Sequence, residues 1–84
     1  MSDVSKLRTG RQLQAARALA GYDRESMAEA AGVTSRTIRR LEGLARITAH
    51  STTLDAIETA LAAAGVELLN DDRPGVRLRE PLAA

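Results

Sequence analysis

Three arginines, Arg36, Arg39 and Arg40, fall within one short stretch, GVTSRTIRRLEG, residues 32–43. A guanidinium is a planar fork of five N–H donors that stays charged at any physiological pH. It must be solvated or must meet an acceptor, an anion above all. Little else in the chain offers chemistry. There is no cysteine and one histidine, His50, so no thiolate nucleophile, disulfide framework or His/Cys metal set is present. His50 has no second histidine and no nucleophile motif beside it. Asp55 and Glu58 read as a solvated helix face, and Asp71 and Asp72 as turn residues. No glycine-rich loop suited to a phosphate cradle occurs. An enzyme is therefore not expected, nor a cofactor, nor a metal.

The charge distribution sharpens the anion reading. The formal charge of the 84 residues is +1. Residues 1–46 carry nine Lys/Arg against five acids, whereas residues 47–84 carry three against six. A basic half joined to an acidic half suggests a polyanion contact on one side only. The length fits one small domain. The longest apolar run is far short of a membrane span and no signal-peptide pattern opens the chain, so a soluble, intracellular protein is expected.

The elements that must position the arginines follow from periodicity and caps. TGRQLQAARALAGY places Leu13, Ala16 and Ala20 at i, i+3, i+7, a first helix closed by Gly21. In YDRESMAEAAG, Asp23 is the expected N-cap, Glu25 complements the helix dipole and Gly32 ends the run. A third helix starts with Thr34 as N-cap and stops at Gly43. LARITAHS reads as a loop. Ser51 or Thr52 then caps a longer helix through Ala64, with Leu54, Ile57 and Leu61 on one stripe and Gly65 closing it. Beyond it, VELL and GVRLR alternate around the turn cluster NDDRPG, which predicts a β-hairpin of 66–69 with 75–79. Val76 and Leu78 face one way and Arg77 and Arg79 the other. Residues 1–8 read as a flexible arm and 80–84 as a disordered tail.

Residues 24–43, RESMAEAAGVTSRTIRRLEG, form the pattern that matters most. Two short helices meet at Gly32, which can adopt positive φ. Ala28 is small where the helices touch. Met27, Ala31, Val33, Ile38 and Leu41 supply an apolar inner face, and no charge interrupts it. This is the helix-turn-helix pattern. If Ile38 and Leu41 face inward, then Ser35, Arg36, Arg39 and Arg40 face outward.

With these residues in place, residues 10–64 resemble the Cro/lambda-repressor-type (Xre-like) family of bacterial and phage helix-turn-helix regulators. The resemblance implies an all-α, lambda-repressor-like domain of four or five helices, here at residues 9–65, followed by the short hairpin at 66–79. It implies sequence-specific binding of double-stranded DNA, with a recognition helix at about 35–42 in the major groove. Ser35, Arg36 and Arg40 are carried over as base readers. Arginine pairs bidentately with guanine O6 and N7, at about 1–3 kcal/mol of discrimination per good pair, so G·C positions are expected in each half-site. Arg39 lies further round and meets a base or a phosphate. Thr37 turns partly toward the second helix and meets a thymine methyl. Arg11, Gln12, Arg24 and Arg46 are expected on phosphates, with Arg8 and Lys6 in a loose arm. The family commonly has Gln where this chain has Arg24. Arg17 and Glu42 occupy the places of a structural ion pair that locks the first helix to the third. Tyr22 is expected to plug the joint between the first two helices.

One such unit reads few base pairs, so a homodimer on an inverted-repeat operator is expected. A lone hairpin is marginal in water, and its apolar residues Val66, Leu68, Val76 and Leu78 are the expected dimerisation surface. Deleting residues 66–84 is then expected to leave a folded monomer with weak operator binding. Two alternatives share the fold. One is an antitoxin whose hairpin and acidic half bind a toxin, or a regulator held by another protein such as an antiactivator. The other is a protein-interaction domain that does not bind DNA. No membrane partner is expected. A regulator of this kind would act in the cytoplasm, at the nucleoid.

Overall fold

The structure is a computed structural model and describes residues 7–70 and 73–79. Four helices run in order, α1 (Gly10–Ala20), α2 (Arg24–Ala31), α3 (Ser35–Glu42) and α4 (Ser51–Ala63). Two strands follow, β1 (Val66–Leu69) and β2 (Gly75–Leu78), paired antiparallel with Val66 opposite Leu78 and Leu68 opposite Val76. The protein is thus mainly helical with a closing hairpin. Among the described residues no helix is long and apolar enough to cross a membrane.

Side-chain caps set most of the boundaries. Thr9 accepts the Gln12 N–H to start α1. Asp23 and Ser26 form a reciprocal capping box at α2, in which Asp23 Oδ1 accepts the Ser26 N–H at 2.8 Å and Ser26 Oγ accepts the Asp23 N–H at 3.0 Å. Thr34 accepts the Thr37 N–H at the start of α3. Gly32, at φ 72°, ends α2 in the left-handed region and lets α3 begin three residues later. The expected cap of α4 is corrected: the N-cap is His50, not Ser51 or Thr52, and no side chain caps that helix.

The core gathers the predicted stripes. Leu13, Met27, Ile38, Leu41, Ile57 and Leu61 are its largest fully buried side chains, with Ala16 and Ala28 between helices. Ala31, Val33 and Tyr22 are partly buried against them. Burial of a Leu or Ile contributes about 1.5–3 kcal/mol, so these six positions supply much of the drive to fold.

Three features depart from the expectations. First, Leu7 and Arg8, read as part of a flexible arm, are held to the domain. Leu7 is buried in the core, its N–H donates to Glu58 Oε2 at 2.9 Å, and the Arg8 carbonyl accepts the Ile47 N–H. Residues 1–6, Lys6 among them, and the tail at 80–84 lie outside the described residues, as do Asp71 and Asp72. Second, Ile47, read as loop, is core, because the chain after α3 returns under α1. Third, the hairpin belongs to the same core. Val66 is 3% exposed, and Leu68 and Val76 pack on the helices, so only Leu78 of the four expected dimerisation residues is exposed.

A buried amide fixes that packing. Gln12 is 4% exposed, and its Nε2 lies 3.1 Å from the Gly75 carbonyl, 3.2 Å from Asn70 Oδ1 and 3.4 Å from the Leu69 carbonyl. Its Oε1 accepts the Arg8 N–H at 2.7 Å. One side chain thus ties α1 to both ends of the hairpin turn and to the incoming chain.

Candidate nucleic-acid interface

Helix α3 carries the candidate site, and its sequence separates two faces. Ile38 and Leu41, one turn apart, are fully buried and anchor it to α1 and α2. Arg36, Arg39 and Arg40 are exposed on the other side and Ser35 is half-buried beside them. Among the described residues none of the three guanidinium groups makes a hydrogen bond or ion pair. Arg39 and Arg40 also sit in the last turn, where a cation complements the helix dipole. Arg36, nearer the start, gains no such benefit.

The base of α3 is held by charge. Arg17 grips Glu42 with two donors, Nε to Oε2 at 2.6 Å and Nη2 to Oε1 at 3.3 Å, and its Nη1 donates to the Tyr22 carbonyl. The Arg17 and Glu42 side chains are 15% and 4% exposed. The expected ion pair is present and mostly dry. A close backbone approach adds to it. The Gly10 N–H donates to the Leu44 carbonyl at 2.9 Å, and a Cβ on Gly10 would collide with the backbone carbonyls of Leu41 and Glu42.

The flanking positions divide. Arg11 and Arg46 are exposed and make no polar contact among the described residues, as a phosphate role requires. Arg8 and Arg46 are brought near one another by the Ile47–Arg8 backbone bond, beside the C-terminal end of α3. Arg24 is 39% exposed at its side chain and donates its Nε to Glu42 Oε1 at 3.2 Å, so part of its fork is taken. Gln12 is corrected: a buried amide already engaged by the hairpin turn cannot reach a phosphate. Thr37 accepts from Thr34 Oγ1 at 3.0 Å and lines an open depression with Arg40, Thr48, Ala49, His50 and Thr53.

That depression was not expected from the sequence. Arg40 borders it together with the start of α4, where no side chain caps the first N–H groups. An anion is the natural occupant of an uncapped helix start beside an arginine. The signal in the sequence was the absence of Ser, Thr, Asp or Asn at position 50, read instead as a cap one or two residues later.

One titration shift is resolved in this region. The Ser26 backbone N–H, and after it the Ser26 hydroxyl, hold the Asp23 carboxyl below its ordinary value, with a smaller contribution from the Arg17 charge. Asp23 is exposed, and it serves the start of α2 rather than the α3 face.

The arrangement as a whole is an anchored helix with an unpartnered guanidinium face, flanked by further exposed arginines on the chain segments around it. No protein-family model matches the chain, and no curated protein matches it.

Proposed function

We propose that the protein is a sequence-specific double-stranded DNA-binding regulator of the Cro/lambda-repressor helix-turn-helix type, with α2 and α3 as the motif and α3 as the recognition helix. The observation that carries this reading is the contrast between arginines. Arg17 is locked in a buried pair, while Arg36, Arg39 and Arg40 on the facing side of the same unit are exposed with no partner. Three unpaired like charges on one short helix repel one another. A polyanion relieves that repulsion and releases its own counterions on binding.

In this reading Arg36 and Arg40 meet guanine edges, with Ser35 at the groove floor. Arg39, Arg11, Arg46 and Arg8 meet phosphates on either side. The depression at the start of α4 offers one more phosphate position, next to Arg40. The working form is a homodimer on an inverted repeat, with half-sites about one helical turn apart or a multiple of it. In this reading a second copy meets the hairpin at Leu78, which is exposed.

Selection of bound duplexes from a random library tests the reading. Recovery of a two-fold symmetric site containing G·C positions is expected. The Arg36→Ala/Arg40→Ala variant, run beside it, should lose the preference. Equal, sequence-independent binding by both proteins would remove the reader assignment.

A further inference from the structure

Glu42 has two arginine partners, and stability explains only one of them. Arg17 engages both carboxylate oxygens and spends its remaining donor group on the Tyr22 carbonyl, so the Glu42 charge is already matched. Arg24 arrives as a second cation on a carboxylate that needs no other. It opens α2, and a helix N-terminus disfavours positive charge. The acid that caps that helix start, Asp23, is occupied by Ser26. Yet Arg24 donates only Nε, and its Nη groups have no partner among the described residues. Its side chain is 39% exposed while Glu42 is 4% exposed. The buried carboxylate therefore holds the inner corner of the guanidinium and leaves the outer donors directed away from it. Those outer donors are the edge that takes a tetrahedral oxyanion with two parallel N–H bonds.

We propose that Glu42 is a positioning residue for phosphate recognition, orienting Arg24 so that its free Nη edge grips a DNA backbone phosphate. This rests on the DNA-binding reading above and deepens it. Because Glu42 ends α3, the phosphate grip at the start of α2 and the placement of the recognition helix share one carboxylate. An arginine free to rotate would have to be ordered on binding, and the Glu42 contact has already ordered it. Lysine is a poor substitute, since its three N–H donors diverge from one nitrogen and cannot set two parallel bonds on a phosphate while another holds the buried carboxylate.

The test is fluorescence anisotropy of the full chain on random-sequence duplex across a range of salt, for wild type, Arg24→Lys and Arg24→Gln. Thermal melts of each run alongside. The Arg24 Nε–H resonance, assigned by its loss in Arg24→Lys, is also followed in the free wild-type protein during titration with inorganic phosphate. Arg24→Lys should weaken binding about tenfold although its charge is kept. Arg24→Gln should weaken it at least as much and lower the log–log salt slope by about one. Arg24→Lys binding like wild type would overturn the proposal in favour of a simple charge, and so would an unchanged salt slope in Arg24→Gln, in favour of a brace. Wild type that binds no duplex, with the Arg24 resonance still moving in phosphate, would sink the DNA reading and leave Arg24 as an anion grip. Neither duplex binding nor a phosphate response would overturn both.

Discussion

Arg36 and Arg40 differ from Arg17 in what surrounds them rather than in their chemistry. Arg17 has every donor group occupied, and Glu42 beneath it is dry. Removing one partner of a buried pair costs about 3–5 kcal/mol when the other charge is left alone; without Arg17, Glu42 keeps only its single 3.2 Å bond to Arg24, so the loss falls toward the lower end of that range. Arg17→Ala should therefore lower the thermal midpoint sharply. Arg36→Ala and Arg40→Ala should leave it nearly unchanged and should each weaken binding to the selected site by about 1–3 kcal/mol, with relaxed preference at one base position. A melt and a binding isotherm on each variant separate the two classes. Asp23 gives a prediction in pH. Its carboxyl is held below its ordinary value by the Ser26 N–H and hydroxyl. A depressed folded value means the stabilisation is present above the unfolded value and is lost as pH falls through the folded one. Melts recorded from about pH 5 to pH 2 should show a decline that Asp23→Asn flattens, since asparagine still caps a helix but does not titrate there.

At the scale of elements, contacts between α1 and its neighbours decide the geometry of the site. Gly10 sits where α1 touches the end of α3, and its missing Cβ is what lets the two backbones meet. Gly10→Ala should cost about 1–3 kcal/mol through overpacking, read as a lower denaturation midpoint. A circular dichroism spectrum of the variant should still be helical. Gln12 does the corresponding work for the hairpin. Gln12→Leu fills similar space but strands the Arg8 N–H and takes a donor from the Gly75 carbonyl, at about 1–3 kcal/mol per buried group left unsatisfied. Hydrogen exchange should show the amides of β1 and β2 losing protection first, ahead of those of α2 and α3. Uniform loss across all elements would argue against the hairpin being held by this one side chain.

At the scale of the molecule, the hairpin cannot be treated as a detachable dimerisation arm. Val66 is in the core, and Leu68 and Val76 cover the helices beneath them. Deleting residues 66–84 is therefore expected to unfold the domain rather than release a folded monomer. A point change at the surface is the sharper test. Leu78 is 52% exposed, and Leu78→Arg should leave the melt within about 0.5 kcal/mol of wild type, as surface substitutions do. If the hairpin forms the dimer contact, the same variant should run as a monomer in light scattering and lose operator affinity. A variant that stays dimeric would move the contact elsewhere, with half-exposed Leu19 on α1 as the next position to change.

Much of this was legible in the sequence because it is local. Caps at Asp23 and Thr34, the turn at Gly32, the helical stripes and the hairpin register depend on neighbours a few residues away, and periodicity records them directly. The division of α3 into a buried and an exposed face follows from the same spacing. The roles of Gln12, Gly10, Leu7 and Ile47 could not be read that way. Each is set by a partner far along the chain, Gln12 by a turn 58 to 63 residues away, and a polar or small residue carries no mark of what it will meet. Arg24 lies between these cases. Its type and position at a helix start made it a phosphate candidate, and only the packing of α2 against α3 brought Glu42 within 3.2 Å of it. The sequence determined which side chains are charged and which way each helix faces. Tertiary structure alone decided which of those charges are already spent on one another and which remain for a partner.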